Sequence, residues 1–314
     1  MSVFKKPSEL VYNSTIKALV YGQPGLGKST LALSTPNPVL FDFDGGVQRV
    51  NGAFQCPTLP VNNWDEVLVG LNELESEPNS FQTIVIDTAG KMLDFMSSYI
   101  IKNEPKMAMR DGSLSLKGYG ARKVMFVNFL KRVSMMGKHV IFVAHEREEK
   151  DGELRIVRPE IGGSSQGDLI KELDLVGYMQ AIGSERTISW TPQEKFYAKN
   201  TCNLPSMQKI PVIIDQQGKI IGSNNFLTNI FSSYDEYLKQ EASIRKEYDS
   251  LLKEIEDEVS CIADADMANA YIETMKAKKQ IWDSNAHAKT LISAKCQELG
   301  LKFNKTAKKY EPTA

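Results

Sequence analysis

The run Gly22-Gln23-Pro24-Gly25-Leu26-Gly27-Lys28-Ser29, continued by Thr30, fits the pattern GxxxxGK[ST] at every position. Glycines at these places let the backbone curl until successive N–H groups point inward, which makes a cradle for phosphate oxygens. Lys28 supplies a point charge for the β- and γ-phosphates, and the Ser29 hydroxyl is a ligand for Mg²⁺. The chemistry is the binding of ATP with Mg²⁺. The Lys28 ammonium is expected to face solvent before nucleotide arrives.

Three further positions could act on a bound triphosphate. Thr83-Ile84-Val85-Ile86-Asp87 is an apolar run ending in an acid, a Walker B pattern, and Asp87 would hold the Mg²⁺ shell through water. In Leu40-Phe41-Asp42-Phe43-Asp44-Gly45-Gly46 the alternation sends Asp42 and Asp44 to the same side of a strand end. An acid there can orient or deprotonate the attacking water, and Asp44 is the stronger candidate; an Asp-Gly turn is the alternative. His145 directly follows Val140-Ile141-Phe142-Val143-Ala144, where a polar side chain can sense the γ-phosphate.

These residues need a scaffold that brings strand ends together. The runs 18–21, 39–41, 84–86 and 140–144 are short, rich in Val, Ile and Phe, and barely alternating, as strands buried on both faces of a parallel sheet are. Stretches suited to crossover helices lie between them, at 30–34, 64–75, 92–102 and 120–136. The class is α/β with a mainly parallel sheet. Runs at 187–190, 196–198 and 212–214 read as further strands, antiparallel ones. Two segments, 104–122 and 146–168, read as mobile loops on the ligand side of the sheet, with scattered Lys and Arg among glycines and with Tyr119 as a stacking candidate.

From Tyr234 the apolar positions Tyr237, Ile244, Tyr248, Leu251, Ile255 and Val259 recur at helical spacing, and two more helical stretches follow at 266–282 and 286–299. Charge separates along this part. Residues 234–260 hold nine acids against four bases, and residues from 271 onward hold nine lysines against four acids. An acidic helix folded against a basic one accounts for the pattern. The domain reading is a P-loop core over 1–233, a helical segment over 234–301 and a loose basic tail over 302–314.

The bulk numbers exclude little else. A net charge of −1 over 314 residues makes no global demand for nucleic acid or a membrane surface. Cys56, Cys202, Cys261 and Cys296 are far apart, so no zinc pair is expected and the thiols are read as reduced. Without an apolar leader or a run of membrane-spanning length, the expectation is a cytoplasmic protein with no membrane partner.

In this order, the segments 16–30, 40–46, 84–88 and 143–145 resemble the phage-encoded RecA-like ATPases, a group that includes single-strand annealing proteins. The resemblance covers about residues 14–230. It implies a RecA-like core that binds ATP and Mg²⁺ and acts on single-stranded DNA in phage recombination. It implies that Asp44 stands at the catalytic acid, where RecA proteins carry Glu, and His145 at the sensor. The segments 104–122 and 146–168 stand where RecA proteins place DNA-binding loops. Lys199, with Lys195 second, stands where such proteins present a basic finger to a neighbour's ATP, so a homo-oligomer with ATP at the subunit interface is implied. A single-strand-binding or replication protein is a further possible partner. The alternative is a nucleotide-gated loader for a replication or packaging machine, with the helical segment binding the partner. A small-molecule kinase would need an arginine-rich lid, and no such cluster is present.

Overall fold

The computed structural model describes residues 3–10, 12–152, 154–183 and 185–313. In chain order the elements are β1 (Lys17–Gly22), α1 (Lys28–Ala32), β2 (Pro38–Asp42), β3 (Thr58–Pro60), α2 (Trp64–Ser76), β4 (Thr83–Asp87), α3 (Ala89–Asn103), α4 (Leu116–Met135), β5 (His139–Asp151), β6 (Leu154–Pro159), α5 (Ser165–Glu172), β7 (Leu175–Ile182), β8 (Glu185–Ser189), β9 (Lys199–Asn200), β10 (Met207–Ile210), α6 (Phe226–Ser260), α7 (Ala265–Ala277), α8 (Ser284–Glu298), β11 (Leu301–Asn304) and β12 (Lys309–Pro312). The chain divides into two compact units, one of residues Asn13–Tyr234 and one of Met1–Tyr12 with Asp235–Ala314.

In the larger unit the sheet runs β10-β8-β7-β1-β5-β4-β2-β3. Strands β3, β2, β4, β5, β1 and β7 are parallel, and β8 and β10 extend the sheet antiparallel at one edge. Apolar residues on both faces explain the unbroken runs in the sequence. Leu19, Tyr21, Ile84, Ile86, Val140 and Phe142 pack into a core on one side. Ala18, Val20, Val85, Ile141 and Val143 pack into a second core on the other. Each fully buried side chain of this size stabilises the fold by about 1.5–3 kcal/mol.

The expected crossover helices are present, and their starts follow local chemistry. Asn63 caps α2 by accepting from Glu66 N at 3.1 Å, and Ser115 caps α4 by accepting from Gly118 N at 3.2 Å. The structure departs from the expected elements at several places. Residues 212–214 are not a strand; the edge strand is β10, earlier in the chain. The 196–198 run makes isolated bridges at Phe196, and only Lys199–Asn200 is strand. Strand β7 was not expected at all, although it flanks the P-loop strand, because its polar neighbours Asp174 and Gln180 mask a short apolar run.

Neither expected loop is simply a loop. Most of 146–168 is a β-hairpin, β5 continuing past His145 and returning as β6, followed by the start of α5. The later part of 104–122 is the first turns of α4.

The smaller unit has its own core of Ile255, Val259, Ile262, Tyr271, Met275, Ala288, Ile292 and Cys296. The expected acidic-on-basic pairing is there: Lys278 meets Glu254 and Glu258, and Lys279 meets Glu247. Residues 302–314 are not a loose tail over their described part. Strands β11 and β12 pair antiparallel, and Asn269 of α7 clasps the hairpin, accepting from Tyr310 N at 2.8 Å and donating to Tyr310 O at 3.0 Å.

Candidate nucleotide-binding site

The site grows out of the end of β1. Gly22 must be glycine, because a Cβ there would lie 2.4 Å from the Met179 carbonyl oxygen of β7. Gly27 has φ 84°, a left-handed conformation that L side chains rarely adopt, and it leads straight into α1. These two positions fix the loop between sheet and helix.

Lys28 does not face solvent as expected. It is buried, and its ammonium donates to the Gln23 carbonyl oxygen at 2.7 Å, folding the side chain back over the loop. Burial lowers its pKa, and the nearby carboxylates of Asp87, Glu146 and Asp44 oppose that shift. Ser29 Oγ donates to Asp87 Oδ2 at 2.5 Å, so the two expected magnesium ligands are in contact across the P-loop and β4. Hard oxygens of this kind fit Mg²⁺, which holds few protein ligands and keeps several waters. Burial raises the pKa of Asp87, Asp42 and Asp44 add to the shift, and Ser29 and Lys28 oppose it.

The sequence places Asp42 and Asp44 on the same side of the strand end and favours Asp44; in the structure the two carboxylates have different partners. Asp42 is buried and accepts backbone N–H groups from Asp44, Gly46 and Val47 at 3.3, 3.0 and 3.0 Å, which makes it the clasp of the turn after β2. Asp44 is presented by that turn, pairs with Arg49 at 3.0 Å, and lies close enough to act on both Lys28 and Asp87. His145 stands beside Gly22 in the β1–β5 register, and its Nδ1 is buried without a hydrogen-bond partner among the described residues.

Lys199 is not placed as a finger. Its ammonium donates to Ile170 O at 3.1 Å and also to Leu173 O, at the C-terminal end of α5, where a cation meets unpaired carbonyls. That charge is used within its own protomer.

Two residues of the site escaped the sequence reading. Arg186, on β8, donates to Leu26 O at 3.3 Å and lines a cleft of about 240 Å³ with Gly27, Thr30, Leu31, Ile213 and Asn224. No motif marks an arginine on an antiparallel strand more than a hundred residues downstream; only the sheet order brings it to the P-loop. Glu146 acts on Lys28, and its Oε2 is buried without a partner among the described residues. It also sits beside Tyr178, whose phenol is pushed up to about 12, by burial first and then by the Glu146 charge. Its adjacency to His145 was the available signal.

The P-loop strand β1 and the Asp87 strand β4 are separated by one inserted strand, β5, which carries His145. A mainly parallel sheet in this order, with the glycine-bounded loop after β1 and Ser29 hydrogen-bonded to Asp87 beside it, is a RecA-like P-loop fold. The match to a family described as an AAA domain spans residues 14–202, more than half of the chain, and the protein belongs to that family. Members of such a family bind nucleotide, usually with Mg²⁺. Among solved structures the chain is similar to a KaiC-like protein from the hyperthermophilic archaeon Pyrococcus horikoshii, at 13% identity and a TM-score of 0.37, over 66% of this chain and 89% of that one. No curated protein matches. No described helix is long and apolar enough to cross a membrane.

Proposed function

We propose that the protein hydrolyses ATP with Mg²⁺ and couples turnover to single-stranded DNA in recombination or annealing of the phage type. The observation that carries the ATPase part is the Lys28, Ser29 and Asp87 cluster with the Asp44 carboxylate beside it. Asp44 serves as the water-activating acid and His145 as the sensor of the γ-phosphate. Asp44→Asn should lower kcat by about 10²-fold or more with nucleotide affinity kept, since it removes a base and keeps the bulk. Steady-state turnover and equilibrium binding separate the two effects. If Glu146→Gln gives the larger loss and Asp44→Asn leaves turnover intact, the base is Glu146 and Asp44 only serves the turn.

The DNA part is supported by the segment before and into α4. Arg110 and Lys117 are exposed and make no ion pair among the described residues, Tyr119 is exposed, and the Arg122 guanidinium lies 4.9 Å over its ring. The β5–β6 hairpin supports it less, because Arg147 and Arg158 meet Glu149 and Arg155 meets Glu148. Oligo(dT) should stimulate ATP hydrolysis, and charge reversal at Arg110 and Lys117 should abolish the stimulation, flatten the salt dependence of DNA binding and leave basal turnover unchanged. Oligo(dT) that neither binds nor stimulates would favour the nucleotide-gated loader. ATP at a subunit interface remains part of the proposal, with Lys195 or another cation in place of Lys199.

A further inference from the structure

We infer that the smaller unit carries a docking trough for a short acidic peptide segment with aliphatic or aromatic side chains, supplied by a partner protein. The trough, of about 530 Å³, runs between α7, α8 and the β11–β12 hairpin. Its floor and walls are Ile272, Ile292, Phe303 and Tyr310, and its rim is Lys276, Lys289, Lys305 and Lys308. A second depression between α7 and α8 shares Ile272, Lys276, Lys289 and Ile292 with it, so the groove continues along the helix pair.

The rim charge is not spent inside the unit. The acids of α6 engage Lys278 and Lys279, and Glu256 meets His287. Lys276 meets Glu273 of its own helix. Lys289, Lys305 and Lys308 are exposed and make no ion pair among the described residues. Three uncompensated ammonium groups around an apolar hollow attract an anion that also carries apolar surface. Exposing Phe303 at 44% in that hollow costs water contact that a bound side chain would remove. The hairpin that completes the wall is held in place by Asn269, so the trough is preformed.

A peptide fits better than a nucleic acid. The floor is aliphatic, and Phe303 packs edge-on against Tyr310, with centroids 5.1 Å apart and planes at 65°, which offers no row of parallel ring faces for bases. Residues 271–314 contain no arginine, so the planar fork that grips phosphate two bonds at a time is missing.

The test uses the full-length protein and an array of short peptides that mix Asp or Glu with Leu, Ile and Phe, beside the same peptides with Lys in place of the acids. Binders from the acidic array are then labelled and titrated. Acidic peptides should bind and lysine ones should not. Lys289→Glu with Lys308→Glu should weaken binding by about tenfold or more and lessen its salt dependence. Phe303→Ala should weaken it too, while ATP turnover stays at the wild-type level in both variants. Circular dichroism establishes that each variant is folded, and Lys289→Gln with Lys308→Gln repeats the charge test more gently. An acidic array without binders, or binding unaffected by these variants, overturns the inference. So does oligo(dT) binding that Lys289→Glu with Lys308→Glu abolishes while no acidic peptide binds, which would make the trough a nucleic-acid site.

Discussion

Lys28→Ala will cut ATP turnover by about 10²–10³-fold, the loss expected when one fixed electrostatic contact to the transferring phosphoryl group is removed. The ammonium is the positive charge of the P-loop, and it sits among the carboxylates of Asp87, Glu146 and Asp44. Nucleotide entry must exchange its bond to the Gln23 carbonyl for bonds to phosphate oxygens. Without Lys28 the triphosphate would meet those acids without the ammonium that offsets their charge, so affinity should fall along with turnover. The fold should survive, because the main-chain course of the loop is set by Gly22 and Gly27 and by the packing of Leu31 and Ala32 of α1 into the core. Titration with a fluorescent ATP analogue and steady-state hydrolysis check both halves. Wild-type affinity in a folded Lys28→Ala protein would remove the P-loop from the mechanism.

Asp87→Asn should abolish Mg²⁺-dependent nucleotide binding and at the same time raise the Tm of the empty protein at neutral pH. Both effects have one cause. Burial, with Asp42 and Asp44 nearby, raises the pKa of Asp87 above its unfolded value. An acid whose pKa is raised by folding costs nothing when protonated in both states. The cost sets in as pH rises past the unfolded value of about 3.9 and is complete above the raised folded value. Above that range the ionised carboxylate is unfavourable in the empty site, and a bound cation would relieve it. Asn keeps the shape and still accepts from Ser29, but it carries no charge for the cation. Thermal unfolding should show a higher Tm for the empty variant and no further rise with Mg²⁺ and nucleotide, whereas the wild type should rise. In the wild type, Mg²⁺-dependent binding should fade on acidification at a higher pH than an exposed aspartate would impose. A variant that loses stability and still gains from Mg²⁺ would assign the metal to other ligands.

Much of the nucleotide site was readable along the chain because it is built from local pieces. The P-loop, its helix and the acid at the end of β4 each need only a few adjacent residues, and burial on both faces of a parallel sheet leaves an unmistakable apolar run. The sequence favoured Asp44 over Asp42, but the reason was not readable, since both sit at one strand end with the same parity. Only the turn after β2, where three N–H groups converge on Asp42, shows that its carboxylate is taken up by the backbone while that of Asp44 is not. The reading of Lys199 failed for a related reason. A lysine on an edge strand looks solvated until a helix terminus from elsewhere in the chain, that of α5, offers it carbonyl oxygens.

Read along the chain alone, the residues specify an α/β class with a P-loop pattern at 22–30, an acid ending the run 83–87, and a helical segment that follows the core in sequence. Those features are contiguous motifs or periodic runs, and short-range chemistry suffices to specify them. Tertiary structure alone decided which strand lies between β1 and β4, that Arg186 and Glu146 join the site, that 146–168 is a hairpin and that the last residues close a trough on α7 and α8. Each of these depends on pairing between residues far apart in the chain. Such pairing is selected by the burial and hydrogen bonding of the whole sheet, or of the whole helical unit, and no local pattern records it.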